Sequence, residues 1–248
     1  MIRTVATVVQ PGFAPFEFGL ACEAFGLDRS GDGIRGFDFR IVAAEPGLVP
    51  SNLGFSITVD EDLSFAETAD LVIVTPVPRE RWHEADTRVS AVVRRAAERG
   101  AWLMSVCSGS FVLAAAGVLD GRRATTHWMY AETMARMYPQ IDVDPDVLYV
   151  QDGRIITSAG TAAGLDASLH LMRQELGAEA TNRIARRGIV IAINHLKLAP
   201  QYPSRGVDLF KRQLDTFSVG FKKGRLGLIA IDLANTNWPT RGLGMGHT

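Results

Sequence analysis

A cysteine at a strand-to-helix corner is the residue of this chain best placed to do chemistry. The run Trp102-Leu-Met-Ser-Val-Cys107 is apolar up to the thiol, Ser108-Gly109-Ser110 supplies small residues, and an apolar, helix-like stretch follows to Gly117. That pattern reads as a buried strand, a tight turn and a helix, the cysteine version of the nucleophile elbow. Such a corner exposes the side chain at a helix N-terminus, where unpaired N–H groups and the helix dipole favour the thiolate. The plain alternative is a buried structural cysteine, because free Cys packs well as a small hydrophobe. The flanking pattern favours the elbow.

Three other segments could converge on that corner. Glu17 lies in the otherwise apolar turn Pro11–Gly19. A carboxyl desolvated there would have a raised pKa and could hydrogen-bond a thiolate. An exposed glutamate complementing a helix dipole is an equal alternative. His127, in Thr125-Thr-His-Trp128, lies 20 residues beyond Cys107. A Cys–His pair supports nucleophilic or redox chemistry, but a lone His is more often simply packed, and spacing does not bring the two together. The third segment, Thr157-Ser-Ala-Gly-Thr-Ala-Ala-Gly-Leu-Asp166, is a small-residue turn before a helix, suited to close packing or to anion binding. Packing is the favoured role.

The elements that must hold these residues alternate. Strands are expected at Arg3–Val9, Phe37–Ala44, Asp70–Thr75 and Trp102–Val106, with shorter ones at Phe55–Val59 and Ala124–His127. A hairpin of Val147–Val150 and Arg154–Thr157 turns across Asp152-Gly153. Helices are expected at Pro15–Gly26, Arg81–Arg99, Ser108–Ala116 and Met129–Met137, then at Thr161–Glu175 and Glu179–Arg187 on either side of Gly177. Alternation of this kind means an α/β fold, a mostly parallel sheet with helices on both faces. Ligands in such folds bind at the carboxyl ends of strands, and Cys107 sits at one.

The chain has 248 residues, a net charge of −1 and only two cysteines, Cys22 and Cys107. There is no disulfide framework, no signal peptide and no transmembrane run, so the cytoplasm is the expected location. The near-zero charge suggests neither a nucleic-acid nor a membrane partner. Residues 1–195 carry 18 arginines against 24 acids and no lysine, whereas all four lysines fall in 196–248, where the net charge is +5. A change of character near His195 divides the chain into a domain at 1–190 and an atypical basic tail at 191–248. The tail reads as a basic arm or, preferably, as sequence acquired after truncation of a longer protein, and it is expected to be loosely attached.

The elbow Val106–Ser110, the following Gly117-Val-Leu-Asp-Gly-Arg-Arg-Ala-Thr-Thr-His-Trp128 and the Pro11–Gly19 turn together resemble the ThiJ/PfpI superfamily, which is related to class I glutamine amidotransferases. With Thr157–Asp166, the set is most similar to the N-terminal sensor domain of AraC-type (GlxA-like) transcription regulators. The resemblance covers residues 3–187. It implies a flavodoxin-like sandwich, often dimeric, with Cys107, Glu17 and His127 at the family's cysteine, acid and histidine positions. It also implies a ligand-facing surface at Pro76, Val77, Ser108 and Gly109.

Two departures matter. Such regulators carry paired helix-turn-helix motifs needing roughly 100 further residues, and the 53 after His195 show no such pattern, so no specific DNA binding is expected of this chain alone. Many superfamily enzymes have Pro-Gly-Gly after the third strand, where an N–H helps stabilise an oxyanion. Here the segment is Thr75-Pro76-Val77-Pro78, and proline has no N–H. Losing one such donor costs roughly 2.7–4 kcal/mol in the barrier. The expected function is therefore a ligand- or redox-sensing domain, homodimeric, with an unknown small-molecule ligand and neither cofactor nor metal. A cysteine-dependent enzyme, such as an isonitrile hydratase or amide hydrolase using Cys107, is the rival.

Overall fold

The structure is a computed structural model that describes residues 1–83 and 85–187. The expectations for the basic tail lie outside the described residues. The chain forms a compact unit over Met1–Ile184.

In order, the elements are β1 (Thr4–Val8), α1 (Pro15–Ala21), β2 (Asp38–Val42), β3 (Gly47–Pro50), β4 (Ser56–Val59), β5 (Leu71–Val74), α2 (Thr87–Glu98), β6 (Trp102–Val106), α3 (Gly109–Ala115), β7 (Arg123–Ala124), α4 (Trp128–Met137), β8 (Asp142–Val143), β9 (Tyr149–Asp152), β10 (Ile155–Ser158) and α5 (Ala162–Arg187). The main sheet runs β2-β1-β5-β6-β10-β9. All pairs are parallel except the β9–β10 hairpin. Counting only the parallel strands, the order is that of a flavodoxin-like sheet, in which the direction of strand addition reverses between β1 and β5.

Side chains alternate across this sheet. Ala6, Val8, Val72, Val74 and Leu103 join the core that α2 and α3 cover. Met104 and Val106 face the other way, toward Ser168 and Gly164 of α5. Strands β5 and β6 are buried along their whole length, which is why β5 reads as a continuous apolar run and β6 as one interrupted only by Ser105.

Several elements differ from the sequence expectation, each for a local reason. Helix α2 begins at Thr87 rather than Arg81, because Asp86 caps it by accepting the Arg88 N–H at 2.9 Å. A separate 3₁₀ turn occupies Arg79–Arg81. Residues Cys22–Gly26 continue α1 as a π-helical segment. The buried Arg29 guanidinium donates to the carbonyl of Ala24 just beyond α1. Strand β4 pairs with β3 in a separate hairpin, and β8 pairs with β7. Gly177 breaks α5 at φ 82°, ψ 167°, at the break the sequence marked.

Candidate functional site

Four segments meet at the carboxyl edge of the sheet: the turns after β1, β5, β6 and β10. Cys107 follows β6 and adopts φ +53°. That left-handed conformation is costly for a residue with a side chain, and the surroundings fix it. The Cys107 N–H donates to the Ser158 carbonyl at 3.0 Å. Its own carbonyl accepts from the hydroxyls of Ser110 and Thr126, each at 3.1 Å. The elbow is thus held from α3, from the segment before α4 and from the end of β10.

Two glycines make the approach possible. A β carbon on Gly109 would stand 2.4 Å from the Val74 carbonyl oxygen, so α3 can press against the end of β5 only without a side chain there. At Gly160, φ is +91° and a β carbon would stand 2.7 Å from that of Cys107. The small-residue turn at 157–166 therefore packs directly behind the thiol.

Pro76, Val77 and Ser108 are buried. The Val77 N–H donates to the Ser108 hydroxyl at 3.2 Å, and that hydroxyl donates back to the Val77 carbonyl at 2.9 Å. The turn after β5 is thereby fastened to the elbow, and both peptide groups of Val77 that face Ser108 are engaged. Pro78 follows with no N–H to offer.

Glu17 lies on α1 and is 7% exposed. Burial raises its carboxyl above the ordinary carboxylate range, opposed by hydrogen bonds from its own N–H and that of Thr161. Burial and the Glu17 charge together push the Cys107 thiol up to about 12, while the Ser108 N–H pulls it down. The expectation that the helix N-terminus would favour the thiolate is reversed here. Helix α3 has only seven residues, and the thiol's desolvation outweighs the one backbone donor that opposes it. Cys22 is also raised by burial, to about 11.

His127 is the N-cap of α4. Its Nδ1 accepts the Met129 N–H at 3.3 Å, which leaves a neutral ring carrying its proton on Nε2. Burial lowers its pKa. Thiol and imidazole are thus both driven toward their neutral forms, the opposite of a thiolate–imidazolium pair.

Sequence reasoning missed Tyr130. Burial raises its hydroxyl pKa, the charges of Cys107 and Glu17 raise it further, and the charge of Arg79 lowers it. The hydroxyl therefore shares an electrostatic neighbourhood with the cysteine, the acid and an arginine. The Tyr130 ring meets Trp82 edge-on at 4.7 Å and His127 at 5.3 Å. Its position three residues after the capping histidine was the available signal. Among the described residues, no group of three His, Cys, Asp or Glu is placed to hold a metal ion, and no helix is long and apolar enough to cross a membrane.

The chain is similar to known proteins in sequence and in fold. The regulator GlxA of Rhizobium meliloti is 32% identical over 171 residues, 68% of this chain and 51% of that protein. The isonitrile hydratase of Pseudomonas putida is 36% identical over 99 residues, 40% of this chain and 42% of the enzyme. An AraC family transcriptional regulator from Pseudomonas putida superposes with a TM-score of 0.64 over 75% of this chain and 98% of that one, at 18% identity, which speaks for the fold. The chain spans about half the length of the curated HTH-type regulators it matches. The model of the DJ-1/PfpI family matches residues 3–174, and the chain belongs to the DJ-1/PfpI family.

Proposed function

We propose that residues 1–190 are the sensing domain of an AraC/GlxA-type transcription regulator, acting in the cytoplasm and responding to a small molecule at the Cys107 elbow. In this reading Cys107 is the responsive group, Glu17 holds or releases the proton that the thiol exchanges, and His127 caps the helix whose entry segment holds the Cys107 carbonyl. The turn at Pro76 and Val77 carries changes at Ser108 and Gly109 into the rest of the domain. Phe16, Leu48, Leu53 and Phe55 are exposed apolar residues on α1 and on the β3–β4 arm, an apolar set of the kind that association between two copies would cover.

The observation that carries the reading is the state of the elbow. The thiol is held neutral, the Val77 N–H is occupied by Ser108, and Pro78 has no N–H. An acyl-transfer site needs an activated thiolate and a free oxyanion donor, and a thiol-dependent hydratase needs the activated thiolate. The likeness to HTH-type regulators, over 62% to 74% of the chain, points the same way.

The test is a thermal-shift screen of small metabolites and of hydrogen peroxide, run beside a turnover assay with isonitriles and amides. Stabilisation by a metabolite, lost in Cys107→Ala and unaccompanied by turnover, is expected, and with the thiol held neutral a peroxide-induced mass change at Cys107 should be slow. Catalytic turnover that disappears in Cys107→Ala would overturn the proposal in favour of the hydratase reading.

A further inference from the structure

Among the described residues, only two other than glycine adopt a positive φ, Cys107 at +53° and Thr161 at +46°. Far apart in the chain, they are brought together by Gly160. A β carbon there would stand 2.7 Å from that of Cys107 and 3.2 Å from its sulfur. A left-handed backbone is costly for a β-branched residue, and such strain persists only where the surroundings hold it. Cys107 is held by hydrogen bonds from three elements. Thr161 is held less firmly. It and Ala162 are exposed, and its N–H goes to the carboxyl of Glu17.

The strained turn is anchored at both ends. Before it, the Ser158 carbonyl accepts the Cys107 N–H at 3.0 Å and the Ser158 hydroxyl donates to the Ser105 carbonyl at 3.1 Å, while the Ala159 N–H donates to the Leu148 carbonyl at 2.9 Å. Beyond it, Gly164 is wedged in place, since a β carbon there would stand 2.9 Å from Val106 Cγ1 and 3.1 Å from Leu20 Cδ1. Between these anchors Gly160–Ala163 is one turn closed by two hydrogen bonds, from the Ala163 N–H to the Gly160 carbonyl at 3.1 Å and from the Gly164 N–H to the Thr161 carbonyl at 3.0 Å. Opening the turn breaks those bonds but lets Thr161 return to an ordinary φ, so released strain offsets part of the cost. The other walls of the elbow have no such relief. The Val77 turn is fastened twice to Ser108, and Gly109 is pressed against the Val74 carbonyl.

We propose that the Gly160–Ala163 turn is the gate of the Cys107 site, that the strain at Thr161 keeps it poised to open, and that a small molecule reaching the thiol displaces it. The proposal rests on the sensing role of Cys107 and adds the element that moves when the site is filled. Closed, the turn lies on the thiol. Open, it uncovers the thiol and frees the Ala163 and Gly164 N–H groups. An occupant beside the sulfur takes the space that Gly160 fills, so binding favours the open form.

Iodoacetamide, a small neutral alkylating reagent, tests the gate, with labelling of each cysteine followed by mass spectrometry. A thiol that reacts only while the turn is open is labelled at a rate set by the open population. Thr161→Gly takes the same backbone conformation without strain and favours the closed turn, so labelling at Cys107 should slow by about fivefold. Thr161→Val keeps the branched β carbon and should label within about twofold of the parent. Cys22, in the π-helical segment outside the turn, should label equally in all three proteins. An unchanged Cys107 rate in Thr161→Gly, or an equal slowing at Cys22, overturns the proposal. Hydrogen exchange then reads the displacement. Protein alkylated at Cys107 should exchange the Ala163 and Gly164 amides faster than unlabelled protein, and unchanged exchange at both overturns the proposal. The sensing role fails by a different result, turnover of an isonitrile or amide that Cys107→Ala abolishes, and the labelling rates judge the gate whichever way that assay falls.

Discussion

Ser108 and Val77 are joined in both directions, the hydroxyl accepting the Val77 N–H at 3.2 Å and donating to the Val77 carbonyl at 2.9 Å. One side chain thereby satisfies two buried backbone groups of a neighbouring loop. Ser108→Ala would leave the Val77 N–H unpaired, while the Val77 carbonyl keeps the Trp82 indole N–H at 3.3 Å, and one orphaned buried group costs about 1–3 kcal/mol. We expect a loss of that size, about 1–3 kcal/mol, in urea unfolding. An unchanged midpoint would mean that water replaces the hydroxyl.

Gly160→Ala tests the packing behind the thiol. The new β carbon would lie 2.7 Å from that of Cys107, on a backbone at φ +91°. Overpacking and a disallowed conformation together should cost about 2–4 kcal/mol. Chemical denaturation measures the loss, and stability within about 0.5 kcal/mol of the parent would show that the turn can move freely away from the cysteine.

Glu17→Gln removes the negative charge that, after burial, raises the Cys107 thiol. The thiol midpoint, followed by thiolate absorbance, should therefore fall from its position near 12. A midpoint that stays or rises would mean that a protonated Glu17 stabilises the thiolate more than its anion opposes it.

Asp166 offers a pH test away from the thiol. It is 5% exposed, its Oδ1 makes no hydrogen bond to a described residue, and burial raises its pKa from 3.8 to about 6. A raised folded-state pKa means that its contribution is fully present below about pH 4 and is lost as pH rises through 6. The loss amounts to about 3 kcal/mol. Asp166→Asn should flatten stability between pH 4 and 6 and make the protein more stable than the parent at pH 7. Parallel pH curves for the two proteins would refute this.

The sheet was legible wherever burial on both faces left continuous apolar runs. Trp102–Val106 coincides with β6, and Asp70–Thr75 brackets β5. The Gly177 break was legible because glycine alone among its neighbours tolerates φ 82°. Strand β3 was not legible, because Gly47-Leu-Val-Pro50 offers two poor strand formers in four residues and relies on β4 for its pairing. The start of α2 was misplaced because Arg81 and Trp82 continue its periodicity, while the decisive signal was the Asp86 cap. The residue types of the site were visible, but their protonation was not. Sequence shows a cysteine before a helix, whereas the balance between one backbone donor and desolvation by the whole edge of the sheet exists only in three dimensions. Tyr130 escaped notice because it lies in no motif. It packs edge-on against Trp82, which stacks on Phe111 of the helix after the elbow.

The hydrogen bond from the Cys107 N–H to the Ser158 carbonyl also sets an order of events. The left-handed backbone at Cys107 is held by a residue far later in the chain, on a strand that adds to the sheet only beside β6 and β9. While the protein is being synthesised, the cysteine leaves the ribosome long before its clamp does. Until β10 docks, nothing from that strand holds the elbow in its strained form, and the thiol is shielded neither by Gly160 nor by the start of α5. The elbow is therefore completed only when β10 pairs with β6, so the last strand of the sheet is also the part that finishes the site.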